Sequence, residues 1–191
     1  MKGKIIVIGT SFGGMYALKT ILSDLPSNYI IPILIIQHLS ASSEGYLPKF
    51  LDRVCSINVK EADEKEQINS GHAYIGPPNY HMLVDKHGLI SLSVDEKVNF
   101  ARPSIDVLFE SAVDAFGENV IGILLTGANS DGSKGLKRIK DNCGITIVQE
   151  PSEAEADTMP KAALNLTEVD YVLTLNEIAS LLVSLGDEQL D

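Results

Sequence analysis

The strongest constraint on the fold is a run of four β-branched residues that leads directly into a glycine-rich turn. Residues 5–8 read Ile-Ile-Val-Ile, and Gly9 closes the run. A short continuous apolar segment of this kind is typical of a strand buried on both faces, as in a parallel sheet with helices above and below. Ser11 lies in the turn, and apolar residues at helical spacing follow over residues 17–25. The sequence therefore predicts a strand that delivers a serine to a turn from which a helix leaves.

Two kinds of site use such a turn. In a dinucleotide-binding fold the motif G-x-G-x-x-G brings the backbone against a pyrophosphate, and an acidic residue about 20 positions later holds the ribose. Here Ser11 stands at the second glycine, and Gln37 and His38 stand where the acidic residue is expected. The other kind is a nucleophile elbow, G-x-S-x-G, which matches residues 9–13. Both mismatches disfavour the dinucleotide interpretation, and we expect no nucleotide or other organic cofactor.

The rest of the chain alternates between strand-like and helix-like apolar patterns. Further strands are predicted over residues 30–36, 57–60, 120–125, 145–149 and 171–175. Helical spacing lies between several of these strands and is clearest over residues 105–116. Three shorter apolar runs between residues 72 and 92 are separated by turn residues, which favours an antiparallel hairpin. These patterns predict an α/β fold with a doubly wound, mostly parallel sheet, flanking helices and a small antiparallel hairpin.

Length and charge narrow the classes of function. The chain of 191 residues has 15 Lys and Arg against 26 Asp and Glu, a formal net charge of −11 at pH 7. Sequence-independent binding to nucleic acid depends on basic residues that contact phosphates, so we expect no nucleic-acid partner. At this length one hydrophobic core is sufficient. We expect one domain over residues 1–186, followed by a C-terminal tail over residues 187–191.

The sequence also bears on location and on bound groups. No apolar run approaches the roughly 18 residues of a membrane-spanning helix, and the first residues lack the pattern of a signal peptide. We therefore expect neither membrane insertion nor export. Cys55 and Cys143 have no C-x-x-C spacing, which favours buried, reduced thiols and a cytoplasmic protein. The histidines at positions 72, 81 and 87 show no metal-ligand spacing, so we expect no bound metal.

Three polar residues stand at the ends of predicted strands and form a candidate catalytic triad. A serine acts as a nucleophile when a base lies within hydrogen-bond reach and a third group orients that base. Ser11, His38 and Asp131 each follow a predicted strand, and the carboxyl ends of parallel strands meet at one edge of a sheet. Their order differs from the Ser, Asp, His order of α/β-hydrolases. Each also has a purely structural interpretation, as a helix cap, a polar strand end and a turn residue respectively.

An ordered series of short motifs runs through nearly the whole chain. The motifs read Ile-Gly-x-Ser-x-Gly-Gly at residues 8–14, Gln-His at 37–38, Val-Lys-Glu-Ala at 59–62, Gly-His-Ala-Tyr-Ile-x-Pro at 71–77, His-Met at 81–82, Arg-Pro-Ser-Ile-Asp-Val-Leu-Phe at 102–109, Leu-Thr-Gly with Asp-Gly at 125–132, and Met-Pro at 159–160. Together they resemble the catalytic domain of the chemotaxis protein-glutamate methylesterases, CheB. The resemblance implies a doubly wound, mostly parallel sheet with an antiparallel hairpin.

The resemblance also implies an activity. It points to hydrolysis of glutamyl methyl esters on the cytoplasmic domain of methyl-accepting chemoreceptors, with release of methanol, and to deamidation of selected receptor glutamines. By position, Ser11 is the implied nucleophile, His38 the base that later acts as an acid, and Asp131 the carboxylate that orients the base. No metal or cofactor is implied.

The resemblance further implies residues around the reacting carbonyl. The backbone N–H groups of Phe12 and Ala128 are the implied donors to the oxyanion, an interaction that is typically worth about 3 kcal/mol in the barrier for each donor. Arg102 and Met159 are expected beside the substrate cleft. A basic residue there would offset the repulsion between this acidic chain and the glutamate-rich methylation segments of receptors.

Two positions depart from the family pattern. A threonine usually follows the nucleophile, where Phe12 stands, and the second turn usually reads Gly-Met-Gly-x-Asp-Gly, whereas residues 127–132 read Gly-Ala-Asn-Ser-Asp-Gly. Two alternatives to receptor demethylation therefore stay open: a carboxyl-ester or amide hydrolase with a substrate outside chemotaxis, and a catalytically silent binding module of the same fold. The family's usual N-terminal receiver domain is also missing. We expect either no control within the chain, control by a separate response-regulator partner, or an origin in a longer protein.

Overall fold

Strands and helices alternate along most of the chain, as the apolar pattern predicts. The computed structural model describes residues 3–38 and 45–188. The strands within these ranges are β1 (Ile5–Thr10), β2 (Ile33–Gln37), β3 (Asn58–Glu61), β4 (His72–Ile75), β5 (His81–Val84), β6 (Ile90–Ser93), β7 (Val120–Leu124), β8 (Ile145–Gln149) and β9 (Tyr171–Leu173). The helices are α1 (Gly14–Ser23), α2 (Tyr46–Val54), α3 (Ile105–Phe116), α4 (Ser133–Asp141), α5 (Thr158–Leu166) and α6 (Leu175–Asp187).

Seven of the strands form one parallel sheet in the order β3-β4-β2-β1-β7-β8-β9. The strands β2, β3 and β4 lie on one side of β1, and β7, β8 and β9 lie on the other, so the strand order reverses beside β1. The strands β5 and β6 pair with each other in an antiparallel hairpin. The predicted α/β class, with a doubly wound parallel sheet and a small hairpin, is confirmed.

Helices cover both faces of the sheet, and β1 contributes to both cores. Ile6 and Ile8 belong to the core that includes residues of α1 and α6. Ile5 and Val7 belong to the opposite core, which includes residues of α3, α4 and α5. All four side chains are fully buried, and burial of such a side chain typically contributes about 1.5–3 kcal/mol. The β-branched run therefore fixes β1 at the centre of the molecule.

Several boundaries differ from the prediction for local reasons. β2 begins at Ile33, just after Pro32, which has no N–H to donate to a neighbouring strand. The last strand ends at Leu173 because Thr174 caps α6, where its side chain and that of Glu177 form a reciprocal capping box. α6 then continues to Asp187, the first residue of the predicted tail, and residues 189–191 of that tail lie outside the described ranges.

One prediction about the cysteines is wrong. Cys143 is exposed and has a φ of 62°, since it lies in the tight turn between α4 and β8 rather than in the core. Cys55 is half-buried directly after α2. None of the helices that the structure describes combines the length and the apolar character needed to cross a bilayer.

Candidate active site

The carboxyl ends of β1, β2 and β7 meet where the strand order reverses, and open α/β sheets bind ligands at such a point. Ser11 directly follows β1, and His38 directly follows β2. Thr10 lies opposite Gln37 in the sheet, and the His38 N–H donates to the Thr10 carbonyl at 3.1 Å. The Ser11 N–H donates to the carbonyl of Thr126, beyond the end of β7, at 3.0 Å. The sheet therefore holds the backbones of Ser11 and His38 side by side.

Two glycines that flank Ser11 shape the elbow. Gly13 has a φ of 82°, in the left-handed region that glycine adopts without steric cost. A Cβ at Gly9 would lie 2.3 Å from Cγ2 of Ile105, the first residue of α3. Glycine at these positions thus turns the chain sharply at Ser11 and lets the N-terminus of α3 approach β1.

Asp131 is fully buried in the turn between β7 and α4 and accepts hydrogen bonds from five donors. Oδ1 accepts from Asn99 Nδ2 (3.0 Å), Ser104 Oγ (2.8 Å) and the Asp106 N–H (3.3 Å), and Oδ2 accepts from the Ile105 N–H (2.7 Å) and His38 Nε2 (2.9 Å). The two backbone donors belong to the first turn of α3, where the helix dipole favours an anion. Burial by itself raises the pKa of Asp131, but these hydrogen bonds outweigh it and hold the pKa below its usual range. Asp131 is therefore a carboxylate at neutral pH.

A second buried carboxyl group, Asp106, lies behind Asp131. Nδ2 of Asn99 lies between the two and donates to Asp106 Oδ2 at 2.8 Å as well as to Asp131. The Gly135 N–H donates to Asp106 Oδ1 at 2.7 Å. Burial raises the pKa of Asp106, and the charge of Asp131 raises it further despite the hydrogen bonds from Gly135 and Asn99. Asn99 thus bridges the two carboxyl groups by donating to both.

The contacts of His38 define which of its nitrogens is basic. Nε2 lies 2.9 Å from Asp131 Oδ2, and because a carboxylate only accepts, Nε2 carries the proton and donates. Nδ1 lies 3.2 Å from Nδ2 of Asn129. The oxygen of the Asn129 side chain accepts the Asp131 N–H at 3.0 Å, so its NH₂ group must face Nδ1. The lone pair of the neutral ring is therefore at Nδ1.

A cleft of about 440 Å³ opens beside these residues. It is lined by Ser11, His38, Asn79, Lys97, Asn99, Phe100, Ala101, Arg102, Pro103 and Asn129. Within the described residues no hydrogen bond joins the Ser11 hydroxyl to His38, whose Nδ1 contacts Asn129 instead. Such catalytic contacts are often long without substrate and tighten when substrate binds. Serine and imidazole thus share one cleft in which an ester can meet both.

A model of the CheB methylesterase family matches residues 6–182 of this chain. The chain belongs to the CheB methylesterase family. Its relatives include a putative protein-glutamate methylesterase/protein-glutamine glutaminase of Leptospira interrogans serovar copenhageni, which is 51% identical over 191 residues, the match covering 100% of this chain and 99% of that protein. A protein-glutamate methylesterase/protein-glutamine glutaminase of Syntrophus aciditrophicus is 42% identical over 187 residues, 96% of this chain and 52% of that protein.

The fold agrees with a solved structure from the CheB family. The crystal structure of the Thermotoga maritima CheB methylesterase catalytic domain superposes with a TM-score of 0.93 at 32% sequence identity, and the match covers 97% of this chain and 100% of that one. The chain therefore matches the whole length of the Thermotoga catalytic domain, nearly all of the Leptospira relative and about half of the Syntrophus relative.

The implied oxyanion donors of this CheB family member lie in two different turns, Phe12 directly after Ser11 and Ala128 after β7. The Phe12 side chain is 60% exposed, and Ala128 is exposed in the turn after β7. In the part of the chain that the structure describes, neither backbone N–H donates a hydrogen bond to the protein. Both N–H groups are thus available to an acceptor from a substrate.

The other two predicted cleft residues behave differently from each other. Arg102 lines the cleft, and its Nη1 donates to the carbonyls of Val94 (2.6 Å) and Asp95 (2.9 Å), which anchors the guanidinium to its own loop. The placement of Met159 beside the cleft is wrong. Met159 is fully buried, and a Cβ at Gly127 would lie 2.6 Å from its Cε. Its side chain supports the second turn from beneath and does not line the cleft.

Several site residues have no predicted role from the sequence. Nδ1 of the buried His81 accepts the Ser104 N–H at 3.2 Å, and its Nε2 lies 3.0 Å from the Glu96 carbonyl. His81 therefore ties the segment that carries Asn99 to the start of α3. Nε2 of Gln37 donates to the carbonyls of both Ser11 (2.7 Å) and His38 (3.0 Å).

Some of these residues carried a usable sequence signal. Gln37 and His81 belong to the family motifs, which single out these positions but do not indicate what the residues do. Asn99 belongs to no motif, and sequence spacing does not place it near the triad; Asn129 lies two residues before Asp131 in the second turn, but the sequence does not indicate its contact with His38. In the described ranges no group of three or more His, Cys, Asp or Glu side chains is arranged to hold a metal ion.

Proposed function

We propose that this protein is a serine hydrolase that cleaves glutamyl methyl esters on the cytoplasmic domain of chemoreceptors and releases methanol. The observation that carries the proposal is the 2.9 Å contact between Asp131 Oδ2 and His38 Nε2, which leaves a basic Nδ1 beside the cleft shared with Ser11. The names of the Leptospira and Syntrophus relatives support this substrate. The proposal places the enzyme in the cytoplasm, where the methylated receptor helices lie.

Acylation begins at Ser11. Its Oγ attacks the ester carbonyl carbon while His38 Nδ1 takes the hydroxyl proton, and the carbonyl π bond opens to a tetrahedral oxyanion. The backbone N–H groups of Phe12 and Ala128 donate to this oxygen, and fixed donors of this kind are typically worth about 3 kcal/mol each. The oxyanion then collapses, the bond to the methoxy oxygen breaks, and His38 gives its proton to that oxygen. Methanol leaves, and a glutamyl ester of Ser11 remains.

Deacylation repeats the steps with water. A water molecule attacks the acyl carbon while His38 Nδ1 takes one of its protons, and the bond to Ser11 Oγ breaks as His38 returns the proton to that oxygen. The products are the free glutamic acid and the original enzyme. Asp131 keeps its negative charge throughout and stabilises the imidazolium that forms in both halves of the reaction.

The same site accommodates a second reaction of this class. With a glutamine side chain, His38 gives its proton to the amide nitrogen and ammonia leaves in place of methanol. The name protein-glutamine glutaminase, which both relatives carry, favours this deamidation. The two substrates differ only in the leaving group, so they require the same residues.

The decisive experiment measures methanol release from a methylated receptor cytoplasmic fragment. We expect Ser11→Ala to lower kcat for release about 10⁶-fold, because no other atom in the proposed mechanism forms the acyl-enzyme. Ser180→Ala is the matched control, since Ser180 is exposed on α6 and its side chain, within residues 3–38 and 45–188, bonds only to its own helix. Unchanged turnover in Ser11→Ala would refute the proposal. Hydrolysis of small esters together with a complete lack of activity on receptor would favour a substrate outside chemotaxis.

A further inference from the structure

The side-chain amide of Asn129 contacts His38 Nδ1, the nitrogen that accepts the proton in the proposed reaction. Its Nδ2 lies 3.2 Å from His38 Nδ1, and its Oδ1 accepts the Asp131 N–H at 3.0 Å. Because a backbone N–H only donates, the amide cannot rotate by half a turn without losing that bond. The side chain is therefore held with its NH₂ group against the lone pair of the base.

This contact opposes protonation of the base. When Nδ1 takes a proton it becomes a donor, and it then faces the NH₂ group of Asn129, which is also a donor. The hydrogen bond that stabilises the neutral ring becomes a repulsion in the imidazolium. Acylation as described under "Proposed function" therefore requires the Asn129 amide to leave Nδ1.

We propose that Asn129 is a positioning residue that caps the catalytic base in the substrate-free enzyme and is displaced from it when substrate fills the cleft. This inference rests on the proposed function for its catalytic part, while the cap itself concerns only Asn129 and His38. Asn129 is half-buried and lines the same cleft as Ser11, so its amide lies in the space that a bound ester fills. Asn129 is also one of the residues at which this chain departs from the family turn.

The neighbouring side chains leave room for the displacement. Ala128 and Ser130, on either side of Asn129, are both exposed. The base has a second anchor, because Nε2 of His38 bonds to Asp131 Oδ2 through atoms that the Asn129 amide does not contact. The amide can thus move without releasing the ring.

Apart from the carboxylate that Asn129→Asp introduces at position 129, the charged groups around His38 are the same in every variant that tests the cap. Asp131 faces Nε2 directly, and Asp106 of α3 lies behind it, linked through Asn99. Lys97 and Arg102 line the cleft from the segment that precedes α3. A difference between variants at position 129 therefore reports the side chain at that position.

The experiment follows the protonation of His38 by ¹⁵N nuclear magnetic resonance of the imidazole in the full chain without substrate. The chain has only four histidines, so the His38 signal is assigned by its loss in His38→Gln. In Asn129→Gly the cap is absent, and we expect the titration midpoint of His38 to rise by about 0.5 to 1 pH unit. In Asn129→Asp a carboxylate oxygen faces Nδ1 and stabilises the imidazolium, so the midpoint rises further, by more than about 1 pH unit.

Steady-state kinetics test the catalytic part of the inference, the displacement of Asn129 from His38. We expect Asn129→Asp to lower kcat, because the new carboxylate competes with the serine hydroxyl for Nδ1, and Asn129→Gly to raise kcat for methyl-ester hydrolysis several-fold with KM little changed. Ser130→Gly is the control for added flexibility of the turn, since within the described residues the Ser130 side chain makes no hydrogen bond, and we expect no effect on titration or rate.

The outcomes separate this inference from the proposed function. A His38 midpoint in Asn129→Gly within 0.2 pH unit (a threshold of about 0.3 kcal/mol) of the unaltered protein, or below it, overturns the cap. A shifted midpoint with an unchanged or lower kcat overturns the need for displacement. A shifted midpoint in a protein that hydrolyses no receptor ester supports the cap and refutes the proposed function.

Discussion

Replacing Asp131 by asparagine should damage activity and stability together. An amide keeps one acceptor oxygen and presents an NH₂ group in place of the other. If the oxygen takes the Oδ1 side, the NH₂ group faces the Ile105 N–H and the Nε2 proton of His38; in the opposite orientation it faces the donors from Asn99, Ser104 and Asp106. At least two buried donors then lose their acceptor in either orientation.

The magnitude follows from these unpaired groups. Each buried donor without an acceptor costs about 1–3 kcal/mol, so we expect Asp131→Asn to lower the free energy of unfolding by about 3 kcal/mol. For a chain of this length that corresponds to a fall in Tm of about 6–12 °C. We expect kcat to fall about 10⁴-fold, since the imidazolium loses the carboxylate that orients and stabilises it.

The pH dependence of the stability difference gives a second check. The folded pKa of Asp131 lies below the unfolded value, which is roughly 3.9. The carboxylate therefore contributes stability above that value, and the contribution disappears as the pH falls through the folded pKa. The difference between Asp131→Asn and the unaltered protein should be largest near neutral pH and should shrink in acid.

Chemical denaturation followed by circular dichroism, at several pH values, measures this difference, and methanol release measures kcat. Asp141→Asn is the matched control, because Asp141 is more than half exposed and, among the residues that the structure describes, pairs only with Lys137 on the same helix. Its unfolding free energy should change by less than about 0.5 kcal/mol. The reasoning fails if Asp131→Asn keeps more than a tenth of kcat (a threshold of about 1.4 kcal/mol), or if its stability equals that of Asp141→Asn.

Two further predictions concern residues that line or support the cleft. Phe100 is 98% exposed at the cleft, so Phe100→Ala should raise KM for the receptor fragment several-fold and leave the hydrolysis of a small methyl ester unchanged; equal effects on both substrates would argue against a role in receptor contact. Gln37→Met removes the donor shared by the Ser11 and His38 carbonyls and also a buried oxygen that has no partner among the described residues. Because the two losses offset each other, the free energy of unfolding should fall by less than about 1 kcal/mol in thermal unfolding. In steady-state kinetics kcat should drop while KM stays constant.

The sheet and the position of the three polar residues could be predicted because both depend on local patterns. A strand buried on both faces must be apolar throughout. Residues 5–8 meet this requirement, because four apolar side chains in a row are unfavourable in contact with water. Ser11 and His38 follow such strands directly, so the parallel arrangement alone brings them to one edge. Met159 was misplaced because a family motif marks a position without indicating on which side of the turn its side chain lies.

The contacts that surround Asp131 were beyond prediction for a different reason. Asn99 and Ser104 reach Asp131 only because α3 packs its first turn against β1 at Gly9, a contact between segments nearly 100 residues apart in sequence. Asn129 contacts His38 through the orientation of one amide, which depends on a single backbone N–H. Such contacts arise from three-dimensional packing and leave no periodic trace in the chain.

Asp131 has a structural role and a catalytic role, and the two roles constrain evolution differently. It accepts the N–H groups that begin α3, so the fold needs it even when nothing is hydrolysed. A descendant that lost its substrate would be free to change Ser11 and His38, yet it would retain the aspartate to hold its core together. The aspartate in a related sequence therefore indicates common descent, whereas the serine and the histidine together indicate that hydrolytic activity is retained.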